Sequence, residues 1–334
     1  MSPAALLPGR FEVAADPARI GPLLADLLGG ARLDAAELVD QKEGRALFRY
    51  RLGPGSAGDN MAMAKLYADE ARAARVCATM QALHDDVFAD EPGLDVPRPL
   101  GWLPSLGLVL YQPLAGTPLP EVVPSERRLA AARRAAEWLA VLHGCGLPQD
   151  RRLDLDREVA NAALWAALVD DRLGATTTRA SVLAAAVGPI AGRLALDDAA
   201  VLHKDFHHEH VLVSSSGEPS GDGRPAVGVI DLDEARHGDP AYDLAHFCAN
   251  LALLARRGGL DGAEHDRLRG AFLGEYADRT GWRPDERFSF FRALHGVKLA
   301  KQIATGRGPG PRPAGEHRAQ EATAAVEDAL AWMP

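Results

Sequence analysis

The fold of this chain is decided by residues 203–213, which read HKDFHHEHVLV. A polar, histidine-rich segment that carries Asp205 runs directly into an apolar run at 211–213. Further along, an apolar β-branched run leads into Asp231, with Asp233 two positions on. The pattern predicts a polar loop that ends in a short strand, followed by a second strand that ends in a pair of carboxylates.

Carboxylates in this arrangement suit metal-assisted phosphoryl transfer. A substrate hydroxyl has a pKa far above the reference value of about 3.9 for Asp, so Asp205 would orient that hydroxyl and accept its proton late. Asp231 at a strand end is predicted to bind Mg²⁺, because hard cations prefer carboxylate oxygens. Asp233 faces the same way in extended backbone and is either a second metal contact or a surface carboxylate.

Residues 1–112 predict a small nucleotide-binding lobe. Asp16-Pro17 opens a helix, strands are predicted over 37–40, 46–52, 61–67 and 107–112, and a second helix is predicted over 69–84. A proline-rich link joins that helix to the last strand. Strand alternation places Lys65 on one face with Met61, Met63 and Tyr67, where a buried ammonium needs an anionic partner. A lysine that extends along an edge strand into solvent is the alternative.

Residues 113–334 predict a larger, mainly helical lobe for catalysis and substrate binding. Helical spacing of apolar residues recurs from 125 to 333, interrupted by the strands around the Asp205 loop. Gly- and Pro-rich loops are predicted at 53–60, 214–223 and 306–313. Strands in one part and helices in the other predict an α+β fold of two lobes.

Composition excludes several classes of protein. The 334 residues are 47% hydrophobic and 25% charged, with a net charge of −9 and no basic block, so we expect a globular protein that does not bind nucleic acid. The three cysteines are far apart and form no CxxC pair, which favours a reducing compartment. No apolar run reaches 18 residues, so we expect no membrane span and a cytoplasmic location.

The two motifs together resemble the aminoglycoside phosphotransferase family, a protein-kinase-like group related to choline and homoserine kinases. The family pattern H-G-D-x-H-x-x-N corresponds to residues 203–210. The pattern I-D-(W/L/F)-x-x-A-x-x-G-D-P-x-x-D-L-A corresponds to residues 230–245, which match it almost in full. The resemblance extends over roughly residues 35–333 and implies a bilobal protein-kinase-like fold.

The resemblance also implies roles for individual residues. Asp205 would be the catalytic base and Asp231 the metal ligand, while Lys65 would contact the α- and β-phosphates of ATP or GTP. Further residues that it implies are Gly44 in the phosphate loop, Glu70 as the partner of Lys65, the nucleobase hinge Tyr111-Gln112-Pro113, the metal position His210, and His203, His207 and Asp243 as supports of the catalytic loop.

Three departures from the family pattern bear on the mechanism. His210 replaces the metal-binding Asn, and an imidazole nitrogen suits Mn²⁺ better than Mg²⁺. His210 either ligates the metal or hydrogen-bonds Asp231 with the loss of one metal. Glu70 stands at the start of its helix, earlier than the usual position of the Lys partner. The loop at Gly44 contains one glycine instead of a full G-x-G-x-x-G.

We therefore expect a small-molecule kinase that phosphorylates a hydroxyl of an antibiotic or of a related sugar, nucleoside or amino alcohol. A role in antibiotic resistance or self-resistance is one context, and the protein would act as a monomer or homodimer. The alternative is a pseudokinase, a nucleotide-binding module without turnover. A zinc hydrolase is the third hypothesis, although the histidine spacing does not match H-E-x-x-H on a helix.

Overall fold

The computed structural model describes residues 8–53, 60–174, 178–214, 223–306 and 316–333. The three predicted Gly- and Pro-rich loops fall almost entirely outside these ranges. The chain divides into two compact units. The first unit runs to Gly116 and also includes Gly228–Asp233, while the second comprises Thr117–Val227 and the chain from Glu234 onward. The sequence-based division at 112/113 had assigned residues 228–233 to the larger lobe.

A five-stranded antiparallel sheet forms the centre of the first unit, with strand order β1-β2-β3-β6-β5. Each strand pairs with its sheet neighbour in antiparallel register, and Lys65 of β3 lies opposite Leu47 of β2 and Val109 of β6. The strands of this unit are β1 (Leu33–Lys42), β2 (Arg45–Leu52), β3 (Met61–Tyr67), β4 (Leu94–Asp95), β5 (Arg98–Leu103) and β6 (Leu108–Gln112).

The two faces of this sheet have separate cores. One face presents residues such as Phe48, Tyr50 and Leu66 and packs against helices α1 (Pro8–Ala15) and α2 (Pro17–Leu24). The other face carries Tyr67, Val109 and Tyr111 and packs against helix α3 (Glu70–Ala82). Because strand residues alternate between faces, Lys65 lies on this face with Met63 and Tyr67, as the alternation predicted.

Two elements of the first unit differ from the sequence prediction. Helix α1 precedes the predicted first helix, and β4 and β5 lie within the segment that was predicted as a proline-rich link. Pro99 lies within β5, and the strand is irregular between Pro99 and Gly101, where the backbone of Gly101 has φ +130°. Proline is tolerated in an edge strand because the missing N–H costs no ladder hydrogen bond, and β5 is an edge strand.

The second unit is built mainly from helices. Its short strands pair antiparallel, β7 with β9 and β8 with β11. Its elements are α4 (Ser125–Gly144), α5 (Leu155–Leu173), α6 (Ala180–Ala191), α7 (Ala241–Arg256), α8 (Gly262–Thr280), α9 (Glu286–Ala304) and α10 (Glu316–Ala331), with β7 (Thr117–Pro118), β8 (Ala200–Leu202), β9 (Val211–Val213) and β11 (Arg236–Gly238). Strand β10 (Val227–Val229) includes the point in the sequence, between residues 227 and 228, at which the second unit ends and a segment of the first unit begins.

An aromatic cluster anchors the predicted catalytic loop inside the second unit. Phe206, which is fully buried, stacks on Trp138 of α4 and Phe272 of α8, and it lies against Phe247 of α7. Burying one such side chain contributes roughly 1.5–3 kcal/mol. The residue that follows Asp205 therefore fixes the loop against three helices.

The architecture confirms the predicted α+β fold, with an antiparallel sheet in one unit and helices dominating the other. Within the described ranges, the structure has no helix that is both long enough and apolar enough to cross a lipid bilayer.

Buried His295 of α9 makes the stability of the second unit depend on pH. Its Nε2 donates to the Tyr242 carbonyl at 3.0 Å, and burial, aided by nearby Lys298, holds its pKa well below the usual 6.5. Below pH 6.5 the unfolded chain takes up a proton that the folded protein does not, so stability falls with decreasing pH by up to about 1.4 kcal/mol per pH unit.

We expect His295→Gln to reduce this slope in pH-dependent chemical denaturation, because the amide keeps a donor but does not titrate. The matched variant His317→Gln changes an exposed histidine and should leave the slope unchanged. An identical slope in wild type and His295→Gln would contradict the prediction.

Candidate functional site

The loop that carries Asp205 is held by one buried carboxylate. Asp243, near the start of α7, is fully buried and accepts the backbone amide of His203 at 2.7 Å and that of Lys204 at 2.8 Å. His143 lies 3.2 Å from the same carboxylate. Each carboxylate oxygen of Asp243 thus fixes one peptide group of the turn that leads to Asp205.

Lys204 stands where the family pattern has glycine, and its backbone shows why glycine suits the position. Its φ is +69°, in the left-handed region that costs a non-glycine residue roughly 1–2 kcal/mol. The hydrogen bond to Asp243 and an ion pair between Lys204 Nζ and Glu158 at 2.7 Å hold the residue there. Such strain is characteristic of functional loops.

Asp205 itself faces positive charge. Nζ of Lys298, on α9, lies 3.3 Å from Asp205 Oδ1, and Nε2 of His246 lies 3.8 Å from the same oxygen. Burial alone would raise the pKa of Asp205, but Lys298, followed by His207 and His210, outweighs it and holds that pKa well below the usual range. The carboxylate is therefore ionised at neutral pH and is able to accept a hydrogen bond from an alcohol.

Two of the predicted supporting histidines hydrogen-bond within the loop. The fully buried ring of His203 packs edge-on against Trp138, and its Nδ1 accepts the amide of Asp205 at 3.2 Å. Nδ1 of His207 accepts the amide of Glu209 at 3.3 Å. Both contacts shape the loop on either side of Phe206.

Asp205, His207 and His210 could hold a metal ion. One ligand atom of each lies within 4.8 Å of the others. Nδ1 of His210 lies 2.9 Å from the Asp205 carbonyl, which can only accept, so Nδ1 carries a proton and Nε2 is the nitrogen that would bind a metal. An imidazole nitrogen beside a carboxylate suits Mn²⁺ or another transition metal better than Mg²⁺.

The other predicted carboxylates lie in the first unit and form a charged cluster with Lys65. Asp231, with φ +68°, accepts Lys65 Nζ at 2.6 Å, and Asp233 accepts it at 2.7 Å. Burial would lower the pKa of Lys65, but Asp233 and Asp231 outweigh it and raise that pKa well above its usual value. Lys65 is thus a buried, charged lysine rather than an edge-strand lysine that extends into solvent.

Asp233 is buried, so it is not the surface carboxylate that the sequence left open. Its role as a second metal contact stays a prediction. Its side chain is 2% exposed, and its oxygens are hydrogen-bonded by Lys65 and by Arg45 Nη1, each at 2.7 Å. Each oxygen of Asp233 therefore accepts a hydrogen bond from a cation. The geometry points to an ion-pair role for Asp233.

Glu70 lies away from Lys65. It begins α3, where Asp69 caps the helix, and its carboxylate pairs with Arg10. The cause is its position: a residue in the first turn of α3 faces α1, whereas the Lys65 ammonium is met by Asp231 and Asp233.

The remaining predicted nucleotide-binding residues lie at turns and strand ends of the same unit. Gly44, with φ +72°, forms the turn between β1 and β2, and its carbonyl accepts the Ala68 amide at 2.9 Å. Tyr111 and Gln112 end β6 opposite Pro99 and Arg98 of β5, and Pro113 follows directly.

Sequence reasoning missed two cations. Arg45 lies two residues before Leu47, the neighbour of Lys65, so strand alternation could have placed it on the same face. Lys298 follows the buried residues Leu294 and His295 at helical spacing, so a charged residue on an apolar stripe was the available signal.

Because Asp243 holds two backbone amides, we expect Asp243→Asn to destabilise the protein by about 2–3 kcal/mol in chemical denaturation. An asparagine has one acceptor oxygen, and its NH₂ group would face an amide donor inside the protein. The matched control Asp198→Asn changes an exposed residue that pairs with Arg152 and should cost less than about 0.5 kcal/mol. Equal effects of the two variants would contradict this role of Asp243.

Several solved structures resemble this chain in fold. Aminoglycoside phosphotransferase APH(3'')-Id from Streptomyces rimosus is 24% identical, with 84% of this chain and 97% of that chain covered and a TM-score of 0.55. Choline kinase LicA from Streptococcus pneumoniae is 16% identical, covering 94% and 99%, with a TM-score of 0.57. Spectinomycin phosphotransferase APH(9)-Ia is 13% identical, covering 95% and 98%, with a TM-score of 0.60. At these sequence identities, the structural similarity shows a shared fold and nothing more.

A search of curated protein sequences found no match. The model of the phosphotransferase enzyme family, APH, matches residues 43–288. This range includes the cluster of Lys65, Asp231 and Asp233 and the loop that carries Asp205. The match spans well over half of the chain. The chain therefore belongs to the phosphotransferase enzyme family.

Proposed function

We propose that this phosphotransferase transfers the γ-phosphoryl group of ATP or GTP to a hydroxyl of a small molecule, with Asp205 as the catalytic base. The observation that carries the proposal is the Asp205 carboxylate, ionised and held by a loop that Asp243 fixes from inside the second unit. Phosphoryl transfer needs an oriented hydroxyl more than a strong base, and a fixed carboxylate provides that orientation.

The metal that accompanies the nucleotide is proposed to be Mg²⁺ or Mn²⁺. Asp231 is a candidate ligand for a divalent cation in the first unit, and His210 is a candidate ligand in the second unit. The Asp231 side chain is 25% exposed, and His210 lies with Asp205 and His207 in a group whose ligand atoms are within 4.8 Å of one another. A bound divalent ion would neutralise phosphate charge. The nitrogen donor favours Mn²⁺, so activity with Mn²⁺ is expected alongside activity with Mg²⁺.

The nucleotide is proposed to contact the first unit. Lys65 supplies a charged donor for the phosphates, and the β6 end at Tyr111-Gln112-Pro113 supplies backbone groups for the base. Gly44 allows the β1–β2 turn to come close to a ligand because it has no side chain. Solved relatives in complex with ADP support this assignment.

The acceptor is proposed to be a neutral sugar, a nucleoside-type antibiotic or an amino alcohol. Related structures carry streptomycin and spectinomycin, and another is a choline kinase, which supports an acceptor that carries an alcohol group. The Lys298 ammonium lies 3.3 Å from Asp205, where it would repel a polycation next to the reacting hydroxyl. Antibiotic self-resistance in a cytoplasmic monomer or homodimer is the context we propose.

We expect Asp205→Asn to lower kcat by at least 10²–10⁴-fold, while the affinity for ADP stays within about twofold, because the amide can neither accept the proton nor orient the hydroxyl as well. The measurement is single-turnover transfer from ATP, with Mg²⁺ or Mn²⁺, to a panel of neutral and cationic alcohols. The control Asp266→Asn changes an exposed carboxylate of α8 and should retain wild-type turnover.

Wild-type turnover in Asp205→Asn would rule out Asp205 as the base. A wild-type protein that binds nucleotide but transfers phosphate neither to an alcohol nor to water would favour the alternative, a nucleotide-binding module without turnover.

A further inference from the structure

The cluster around Lys65 contains a second cation that none of the predicted roles includes. Arg45 Nη1 lies 2.7 Å from Asp233 Oδ2 and 3.6 Å from Asp231 Oδ1. Lys65 Nζ lies 2.7 Å from Asp233 Oδ1 and 2.6 Å from Asp231 Oδ1. The two cations therefore share the same two carboxylates, and each takes a different oxygen of Asp233.

Strand register explains why Arg45 and Lys65 meet. Lys65 of β3 lies opposite Leu47 of β2, and Arg45 is two residues from Leu47, so both cations project from one face of the sheet. Arg45 is also the first residue after the Gly44 turn. Arg45 therefore lies at the end of the sheet next to the β1–β2 turn. This turn could approach a bound phosphate group.

The two carboxylates differ in exposure, and this difference separates their roles. The Asp233 side chain is 2% exposed, whereas the Asp231 side chain is 25% exposed. A buried carboxylate that lost its cations would carry an uncompensated charge, which costs several kcal/mol. Asp233 therefore keeps both cations, while Asp231 is the carboxylate that remains accessible to a ligand.

The Arg45 guanidinium has more N–H donors than its hydrogen bond to Asp233 uses. Within the part of the chain that the structure describes, its hydrogen bond to protein runs through Nη1, and Nε and Nη2 are left for an anion. Its side chain is 16% exposed, so the group is reachable from solvent. Arginine binds phosphate oxygens through two parallel N–H bonds, which suits a nucleoside di- or triphosphate.

We propose that Arg45 is a phosphate-binding residue that acts beside Lys65, and that Asp233 positions both cations in place of a glutamate from α3. The proposal rests on the proposed function only in taking a nucleotide as the ligand. It specifies a two-cation phosphate site in the first unit, whereas the catalytic base is in the second.

The test compares Arg45→Met with Arg49→Met. Arg49 projects from the same face of the same strand, four residues on, but it is exposed and pairs with Glu37 at 3.0 Å. Affinities for adenosine and ADP are measured by calorimetry on the whole protein, in EDTA and again with Mg²⁺. Thermal unfolding of each variant reports on folding, and Arg45→Lys, which keeps the charge, serves as the binding variant if Arg45→Met does not fold.

We expect Arg45→Met to weaken ADP binding by about tenfold or more, with adenosine affinity within twofold of wild type, because the lost contacts are to phosphate. Arg45→Lys should recover part of the loss, and Arg49→Met should bind both ligands as wild type does. The proposal is overturned if Arg45→Met binds ADP within twofold of wild type, or loses adenosine and ADP affinity equally.

These outcomes are independent of turnover. An Arg45-dependent preference for ADP over adenosine, found in a protein that transfers no phosphate, would uphold the phosphate site and reject the proposed function. Phosphate transfer by the wild-type protein, together with unchanged ADP affinity in Arg45→Met, would uphold the proposed function and reject the phosphate site at Arg45.

Discussion

The buried carboxylate of Asp233, bound on one side by Lys65 and on the other by Arg45, is the interaction on which the first unit depends. Charges removed from water are tolerated only when they are matched in close contact. Here three ionised groups come from two neighbouring strands and from a segment more than 150 residues further along the chain. This charge matching and the pairing of β10 with β4 both join Gly228–Asp233 to the first unit, although its neighbours in sequence belong to the second.

In the second unit, backbone N–H groups bind the buried carboxylate that supports the Asp205 loop. The carboxylate of Asp243 is fully buried, and two peptide amides of the Asp205 turn donate to it. Those amides hold Lys204 in the left-handed region and so set the direction in which the chain enters Asp205. Phe206, packed among Trp138, Phe247 and Phe272, fixes the other side. Asp205 is thus oriented by fully buried groups of the second unit.

Much of this arrangement could be predicted from the sequence because local patterns carry it. The alternation of β3 placed Lys65 on one face with Met63 and Tyr67, and the second motif predicted that Asp243 supports the loop of Asp205. The α+β class followed from the change between strand and helix periodicity. Strand β5 was missed because its prolines indicated a link, whereas an edge strand accommodates a proline.

The partners of the charged groups could not be predicted in the same way. Glu70 was the glutamate nearest in sequence to the usual position of the lysine partner. Its place in the first turn of α3 directs its carboxylate toward Arg10 instead. Asp233 was read in extended backbone, yet the left-handed φ of Asp231 redirects the chain just before it. Lys298 reaches Asp205 from 93 residues away in sequence. Ion pairs of this kind depend on tertiary packing, which local periodicity does not encode.

The most direct test of the account is a double-mutant cycle between Lys65 and Asp233 on the free energy of unfolding, using Lys65→Met and Asp233→Asn. A cycle between Arg49 and Glu37, an exposed pair on the same sheet, provides the reference. The account predicts a coupling energy of about 2 kcal/mol for the buried pair and less than about 0.5 kcal/mol for the exposed pair. Additive effects of Lys65→Met and Asp233→Asn, to within about 0.5 kcal/mol, would contradict it.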